Sequence, residues 1–187
     1  SSAISVLRRE LSVELPPAPN VIMQNLNHAL SEDLISNNCF ITLVLACYTP
    51  TTRELVYANA GHIYPMHWTV RANLAENPNY LKVRSIPLGI LPKWQAQSGQ
   101  LLLSGGDTLL LASDGITEAM VLNQTQLNKK TVDGTQPASH SMLNQEGLWQ
   151  LLKSEPKPLS LNHLLARIQA DNNLQEDDQT ILSLEVM

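Results

Sequence analysis

Two carboxylate-bearing turns limit what this chain can fold into. Asp114-Gly115 directly follows the apolar run Thr108-Leu109-Leu110-Leu111-Ala112, and Asp177-Asp178 stands just before the run Ile181-Leu182-Ser183-Leu184-Glu185-Val186. Each puts an acidic side chain at the end of a predicted buried strand, where a rigid element holds it against a second carboxylate and the two share a hard divalent cation. Carboxylates so placed suit phosphate chemistry, because Mg²⁺ or Mn²⁺ activates a water and neutralises charge gathering on a phosphoryl oxygen. Asp-Gly is also a common turn dipeptide, and acidic residues ahead of a strand are ordinarily just solvated. Spacing alone therefore leaves a metal site and a pair of plain turns both open.

With 187 residues, 43% of them hydrophobic and 16% charged, the chain is long enough for one sizeable core. A formal net charge of −5 with scattered lysines and arginines gives no electrostatic footprint for nucleic acid or an anionic membrane. A nuclease with a similar carboxylate pair would need a basic channel that this composition does not supply. No apolar run approaches the roughly 20 residues that span a bilayer, and no signal peptide opens the chain, so the expected compartment is the cytoplasm. Cys39 and Cys47 fall eight positions apart on or beside one predicted strand. That is roughly 26 Å, beyond disulfide reach, and no partner stands at zinc-ligand spacing. Both are expected to be reduced thiols in or near the core.

Apolar periodicity lays out an α+β chain. Ile4, Leu7 and Leu11 recur at helical spacing, as do Ile22, Leu26, Ala29 and Leu30 after the Pro16-Pro17-Ala18-Pro19 break, which predicts helices over residues 1–13 and 19–31. Residues 40–48 and 55–58 read as a central hairpin, and 64–70, 80–84, 99–103 and 108–112 as further strands. Residues 123–141 are polar and aperiodic, which predicts a long loop. Helices are expected over 146–153 and after Ser160, a natural cap for the stripe Leu161, Leu164, Leu165, Ile168, before the closing strand.

Read in order, Phe40-Ile41-Thr42-Leu43, Leu55-Val56-Tyr57-Ala58-Asn59-Ala60-Gly61-His62, Pro87-Leu88-Gly89-Ile90, the run from Gly106 through Ser113-Asp114-Gly115-Ile116-Thr117-Glu118-Ala119, and Asp177-Asp178-Gln179-Thr180 form a specific series. It resembles the SpoIIE/RsbU branch of the metal-dependent serine/threonine protein phosphatases, the PPM superfamily, over essentially the whole chain. The resemblance implies an α-β-β-α sandwich, two antiparallel sheets face to face with helices outside. It also implies that a strand ending in Asp-x-x-Gly-His-Gly, whose Asp bridges two metals, precedes the first helix. This chain begins just after that point, so the expectation is one phosphatase domain, residues 1–187, forming the carboxy-terminal part of a longer multidomain regulator. A second departure is local: Ile63-Tyr64-Pro65 follows His62 where the family usually has prolines.

By the same resemblance Asp114 and Asp177 map onto metal-binding aspartates, with two Mn²⁺ or Mg²⁺ ions in the full-length domain. Asp178 is a neighbour that orients a ligand or joins it, ranked below Asp177 because adjacent side chains on an extended strand face opposite ways. Glu118 either reaches the site from one helical turn on or is a helix-start carboxylate favoured by the dipole, the reading preferred here. His62 is a general acid or, preferred, part of a tight structural turn whose imidazole bonds to backbone near the active face. Gly89 is expected to shape a loop, and Asp107 to be a turn residue. His28, His67, His140 and His163 are expected on the surface or in packing.

The implied activity is direct hydrolysis of phosphoserine or phosphothreonine in bacterial stress or developmental signalling. The implied partners are a phosphorylated anti-anti-sigma-type protein as substrate and an upstream sensor or receiver domain, with no nucleic acid and no membrane insertion. The opening helices fall where the family couples upstream signals to metal recruitment, although they could equally just cover one sheet. An alternative of another class is a phosphatase-like module that binds a regulator and hydrolyses nothing.

Overall fold

The computed structural model describes residues 2–69, 77–122, 140–171 and 177–187. In chain order, helices α1 (Ala3–Leu11) and α2 (Pro19–Ser36) lead into strands β1 (Leu43–Thr49), β2 (Glu54–Ala60), β3 (Met66–Thr69), β4 (Asn79–Tyr80), β5 (Ser98–Leu102) and β6 (Asp107–Ala112). The single-turn helix α3 (Asp114–Thr117) follows, then β7 (Met120–Leu122), β8 (His140–Met142), α4 (Asn144–Ser154), α5 (Leu161–Asp171) and β9 (Ile181–Glu185).

The expected α-β-β-α sandwich forms. One sheet runs β1-β2-β5 and the other β4-β3-β6-β9, every pairing antiparallel, with β7 and β8 as a separate ribbon. Strand periodicity explains the layering. Alternate side chains of β2 go to opposite faces, so Leu55 and Tyr57 meet Leu103, Leu109 and Val186 between the sheets. Ala58 and Ala60 meet Ile22, Met23, Leu26 and Leu30 of α2. β6 divides likewise: Leu109 points to the other sheet, while Leu110 and Ala112 meet Trp149, Leu164 and Ile168 of α4 and α5. Trp68 and Trp149 seal that layer, their rings tilted at 60° with centroids 5.4 Å apart. Both central strands are covered on two faces and carry the site at their ends.

Local chemistry sets most boundaries. Ser2 caps α1, its hydroxyl accepting the Ser5 N–H at 3.3 Å. Pro19 opens α2, where its missing N–H costs nothing. That helix continues to Ser36, five residues past the expected end, and Leu34 in the added turn packs on the α2 core. Ser160 accepts the His163 N–H at 3.3 Å at the start of α5, as expected.

Several expectations need correction. The strand predicted over 80–84 shrinks to β4, because beyond Tyr80 the Leu81 N–H turns to the Pro65 carbonyl and the Val83 N–H to the Tyr57 hydroxyl. Val70 lies outside the described residues, as does the predicted loop except at its end, where His140 and Ser141 pair in β8. Three paired residues are too few to show a period. Cys39 and Cys47 are both free and exposed, because Cys39 sits in the turn after α2 and Cys47 on β1, an outer strand of its sheet.

Asp107 is no simple turn residue either. It starts β6 buried, its Oδ2 accepting the Ser104 N–H at 2.8 Å and lying 3.0 Å from His67 Nε2. Burial alone would raise its carboxyl, but the bonds from Ser104, His67 and the Thr69 hydroxyl outweigh this and hold it below the usual carboxylate range. His67 Nδ1 is buried and has no hydrogen-bond partner among the described residues, which selects the tautomer with the proton on Nε2, donated to Asp107.

Candidate active site

β6 and β9 lie side by side, with Ala112 opposite Ile181, so the turns that leave one strand and enter the other must meet. Ser113 stitches them. Its N–H donates to the Thr180 carbonyl at 2.9 Å, its Oγ accepts the Thr180 N–H at 2.9 Å, and its hydroxyl donates to the Asp178 carbonyl at 3.0 Å. Gln179 Nε2 adds a bond to the Gly115 carbonyl at 3.2 Å.

Gly115 lets the turns close. A Cβ there would stand 2.4 Å from the Asp178 carbonyl oxygen and 3.1 Å from its carbonyl carbon, so the position is reserved for hydrogen by backbone, not by a side chain able to swing away. Each aspartate is then aimed by its neighbour's amide. Asp114 Oδ1 accepts the Gly115 N–H at 3.1 Å, and Asp177 Oδ1 accepts the Asp178 N–H at 2.7 Å. Asp114, Asp177 and Asp178 are all exposed at this end of the sheet.

Glu118 corrects an expectation. α3 begins at Asp114 and lasts one turn, so Glu118 falls at its C-terminal cap, with its N–H donated to the Asp114 carbonyl at 2.8 Å. Its exposed side chain sits at the end of the helix where the dipole disfavours a carboxylate.

His62 approaches from β2. Gly61 adopts φ +72°, and a Cβ there would be 2.4 Å from Pro87 Cγ, so a sharp turn follows Ala60. Buried Asn59 fixes what comes next: its Oδ1 accepts the His62 N–H at 2.8 Å, and its Nδ2 donates to the carbonyls of His62 at 3.1 Å and Ile63 at 3.4 Å. The half-buried imidazole reaches the Ala112 backbone carbonyl, which agrees with the structural-turn reading. Burial lowers its proton affinity most; Asp114 and the Ala112 carbonyl pull upward, Arg84 pushes down again, and the net direction is down. Gly89, at φ +84°, closes the neighbouring loop against Leu34 and the Cys39 carbonyl, as expected of it.

The fit to a divalent cation is right in kind and short in number. Asp114 and the Asp177-Asp178 turn supply hard oxygen donors of the class Mg²⁺ and Mn²⁺ take. Among the described residues no group of three or more His, Cys, Asp or Glu side chains is placed to hold a metal ion. If a cation bound here, water or further ligands would have to complete its coordination. Two residues that hold these turns escaped the sequence reading: Ser113 and Asn59, although both stand inside the quoted motifs.

The fold is similar to that of solved phosphatase domains. The chain is 28% identical over 105 residues to the phosphoserine phosphatase RsbU of Bacillus subtilis (strain 168), covering 56% of this chain and 30% of RsbU, so it spans less than a third of that relative's length. The SiaA-PP2C domain of Pseudomonas aeruginosa superposes with a TM-score of 0.73 at 17% identity, over 99% of this chain and 68% of that one. The phosphatase domain of the cell fate determinant SpoIIE from Bacillus subtilis, presoaked with manganese, gives 0.56 at 16% identity, over 100% and 72%. These likenesses establish the fold. The family model for stage II sporulation protein E matches residues 1–187, and the chain belongs to the SpoIIE family.

Proposed function

We propose that this domain hydrolyses phosphoserine or phosphothreonine on a regulatory protein in bacterial signalling, using Mn²⁺ or Mg²⁺. The supporting observation is the contact between Gly115 and the Asp178 carbonyl, with Ser113 bonded across it to a residue 65 positions away, which brings the Asp114 and Asp177 turns to one place. Asp114 and Asp177 would hold the cation, with Asp178 orienting or joining the set. When bound, it would supply Lewis acidity toward the phosphoryl oxygens and activate the attacking water.

The chain's own residues do the rest. The Gly115 and Asp178 amides hold one oxygen of each aspartate, leaving the carboxylates aimed before any ligand arrives. Ser113 keeps the turns in register, and Asn59 and the Ala112 carbonyl fix the His62 ring at the edge of the site. Overall, water adds across the ester P–O bond, releasing the hydroxyl side chain and inorganic phosphate. Neither cysteine takes part, so no phosphocysteine forms.

We propose as substrate a phosphorylated anti-anti-sigma-type protein, and as setting a cytoplasmic regulator of which residues 1–187 are one domain, governed by an upstream sensor or receiver. RsbU, a phosphoserine phosphatase more than three times the matched length, supports that layout. No helix among the described residues is long and apolar enough to cross a membrane. A second reading, a regulator-binding module without activity, is favoured by the lack of a third metal-binding side chain among the described residues. Mn²⁺-dependent hydrolysis of p-nitrophenyl phosphate by the natural full-length protein, with Asp114→Asn and Asp177→Asn beside it, separates the two. Activity abolished by both substitutions supports the enzyme; no activity at any Mn²⁺ concentration supports the module.

A further inference from the structure

We propose that Arg84 is the phosphate-recognising residue of this site, taking the phosphomonoester of the substrate in the N–H groups left over from its own tether. The inference rests on the phosphatase reading above. A phosphomonoester carries close to two negative charges, yet the carboxylates brought together here, Asp114, Asp177 and Asp178, are negative too. A fixed cation at the rim would offset that repulsion.

Arg84 has the required placing. Gly61 N–H donates to the Ser85 carbonyl at 2.8 Å and Ser85 N–H to the Asn59 carbonyl at 2.7 Å, so its loop is bonded to the same end of β2 that carries His62. Arg84 Nη2 donates to the Gly61 carbonyl at 2.7 Å, and the guanidinium carbon lies 5.5 Å over the centre of the Tyr64 ring. Gly61 immediately precedes His62, whose imidazole reaches the Ala112 carbonyl two residues before Asp114, so the guanidinium is tethered beside the turn that faces the carboxylates.

Its bonding pattern points the same way. The side chain is exposed, and among the described residues no carboxylate pairs with it and no acceptor but the Gly61 carbonyl takes its hydrogens. A guanidinium has five N–H groups in a planar fork that matches two phosphate oxygens at once, and one bond to Gly61 leaves most of that fork unspent. Tether and ring hold the group in one orientation, so little rotamer freedom remains to be lost when an anion binds.

The test uses the natural full-length protein with Mn²⁺, comparing wild type with Arg84→Gln and Arg84→Lys. It reads kcat and KM on p-nitrophenyl phosphate, the inhibition constant of inorganic phosphate, and the urea midpoint. Gln retains an amide donor for the Gly61 carbonyl, so the fold should hold. The expected result is a rise in KM and in the phosphate inhibition constant by the same factor, about 10- to 100-fold for Arg84→Gln, with kcat changed far less. Lys keeps the charge without the fork and should fall between. An unchanged phosphate inhibition constant in both variants, including one accompanied by lower kcat, overturns the role of Arg84 and leaves the phosphatase reading intact. Absence of Mn²⁺-dependent turnover in the wild type overturns both.

Discussion

Replacing Gly115 with alanine tests the joint between the two aspartate turns directly. The new methyl would meet the Asp178 carbonyl oxygen at 2.4 Å and the Asp177 carbonyl carbon at 3.3 Å. An ordinary carbon–oxygen contact is about 3.3 to 3.6 Å, so the turns must part by about 1 Å. Gly115 has no positive φ, so the cost is steric and not torsional. Forcing one methyl into closed packing costs about 1 to 3 kcal/mol. The same movement stretches the Ser113–Asp178 and Gln179–Gly115 hydrogen bonds, now 3.0 and 3.2 Å, worth about 1 kcal/mol each. We therefore expect a loss of about 2 to 4 kcal/mol in urea unfolding. A displacement of about 1 Å at a catalytic group can cost about 100-fold in rate, so Mn²⁺-dependent hydrolysis should fall by that order with a raised Mn²⁺ requirement. Wild-type stability and an unchanged Mn²⁺ titration in Gly115→Ala would refute the claim that this contact registers the carboxylates.

Four further outcomes follow from the same contacts. Ser113→Ala removes one acceptor and one donor between the turns and should cost about 1 to 3 kcal/mol in chemical denaturation; a neutral change would show that the backbone pairing suffices. Asn59→Ala leaves three backbone groups without their side-chain partner and should cost about 2 to 4 kcal/mol, with a shift of the His62 ring signals visible by NMR. Glu155 is buried between Arg167 and His163, and although burial raises its carboxyl, those two bonds more than offset it and leave it below the ordinary value of 4.5. A depressed folded-state value means stability fully present above 4.5 and lost as pH falls through the lower value, so Glu155→Gln should flatten the acid limb of stability against pH and cost about 3 kcal/mol at neutrality; parallel curves for the two proteins would reject it. Both cysteines should react with an aromatic disulfide reagent without denaturant, since both are exposed; a single fast equivalent would contradict the placement of one of them.

Much of this fold was legible because period and punctuation agree. Pro19, Ser160 and the apolar hairpin runs over residues 40–48 and 55–58 each mark an element by local chemistry that tertiary packing did not override. Asp114 and Asp177 were legible as strand-end carboxylates for the same reason. What stayed hidden depended on partners far along the chain. β4 stops at Tyr80 because Pro65 and Tyr57 take the next amides, and Asp107 is buried because His67 lies across the sheet. Cys47 is exposed because the apolar run that contains it became an outer strand. Glu118 was misjudged by the length of one helix: a single turn places at its end what a longer helix would place near its beginning.

The 65-residue separation between Ser113 and Asp178 also carries a consequence for synthesis. At about 5 to 20 residues per second, the second turn emerges about 3 to 13 s after the first. During that interval β6 has no β9 beside it, and Asp114 stands alone on an unfinished sheet. A lone carboxylate is a poor trap for a divalent ion, so under the proposed metal-dependent reading the nascent chain is not committed to whichever metal it meets first. On that reading, selection waits until both turns have closed on Gly115.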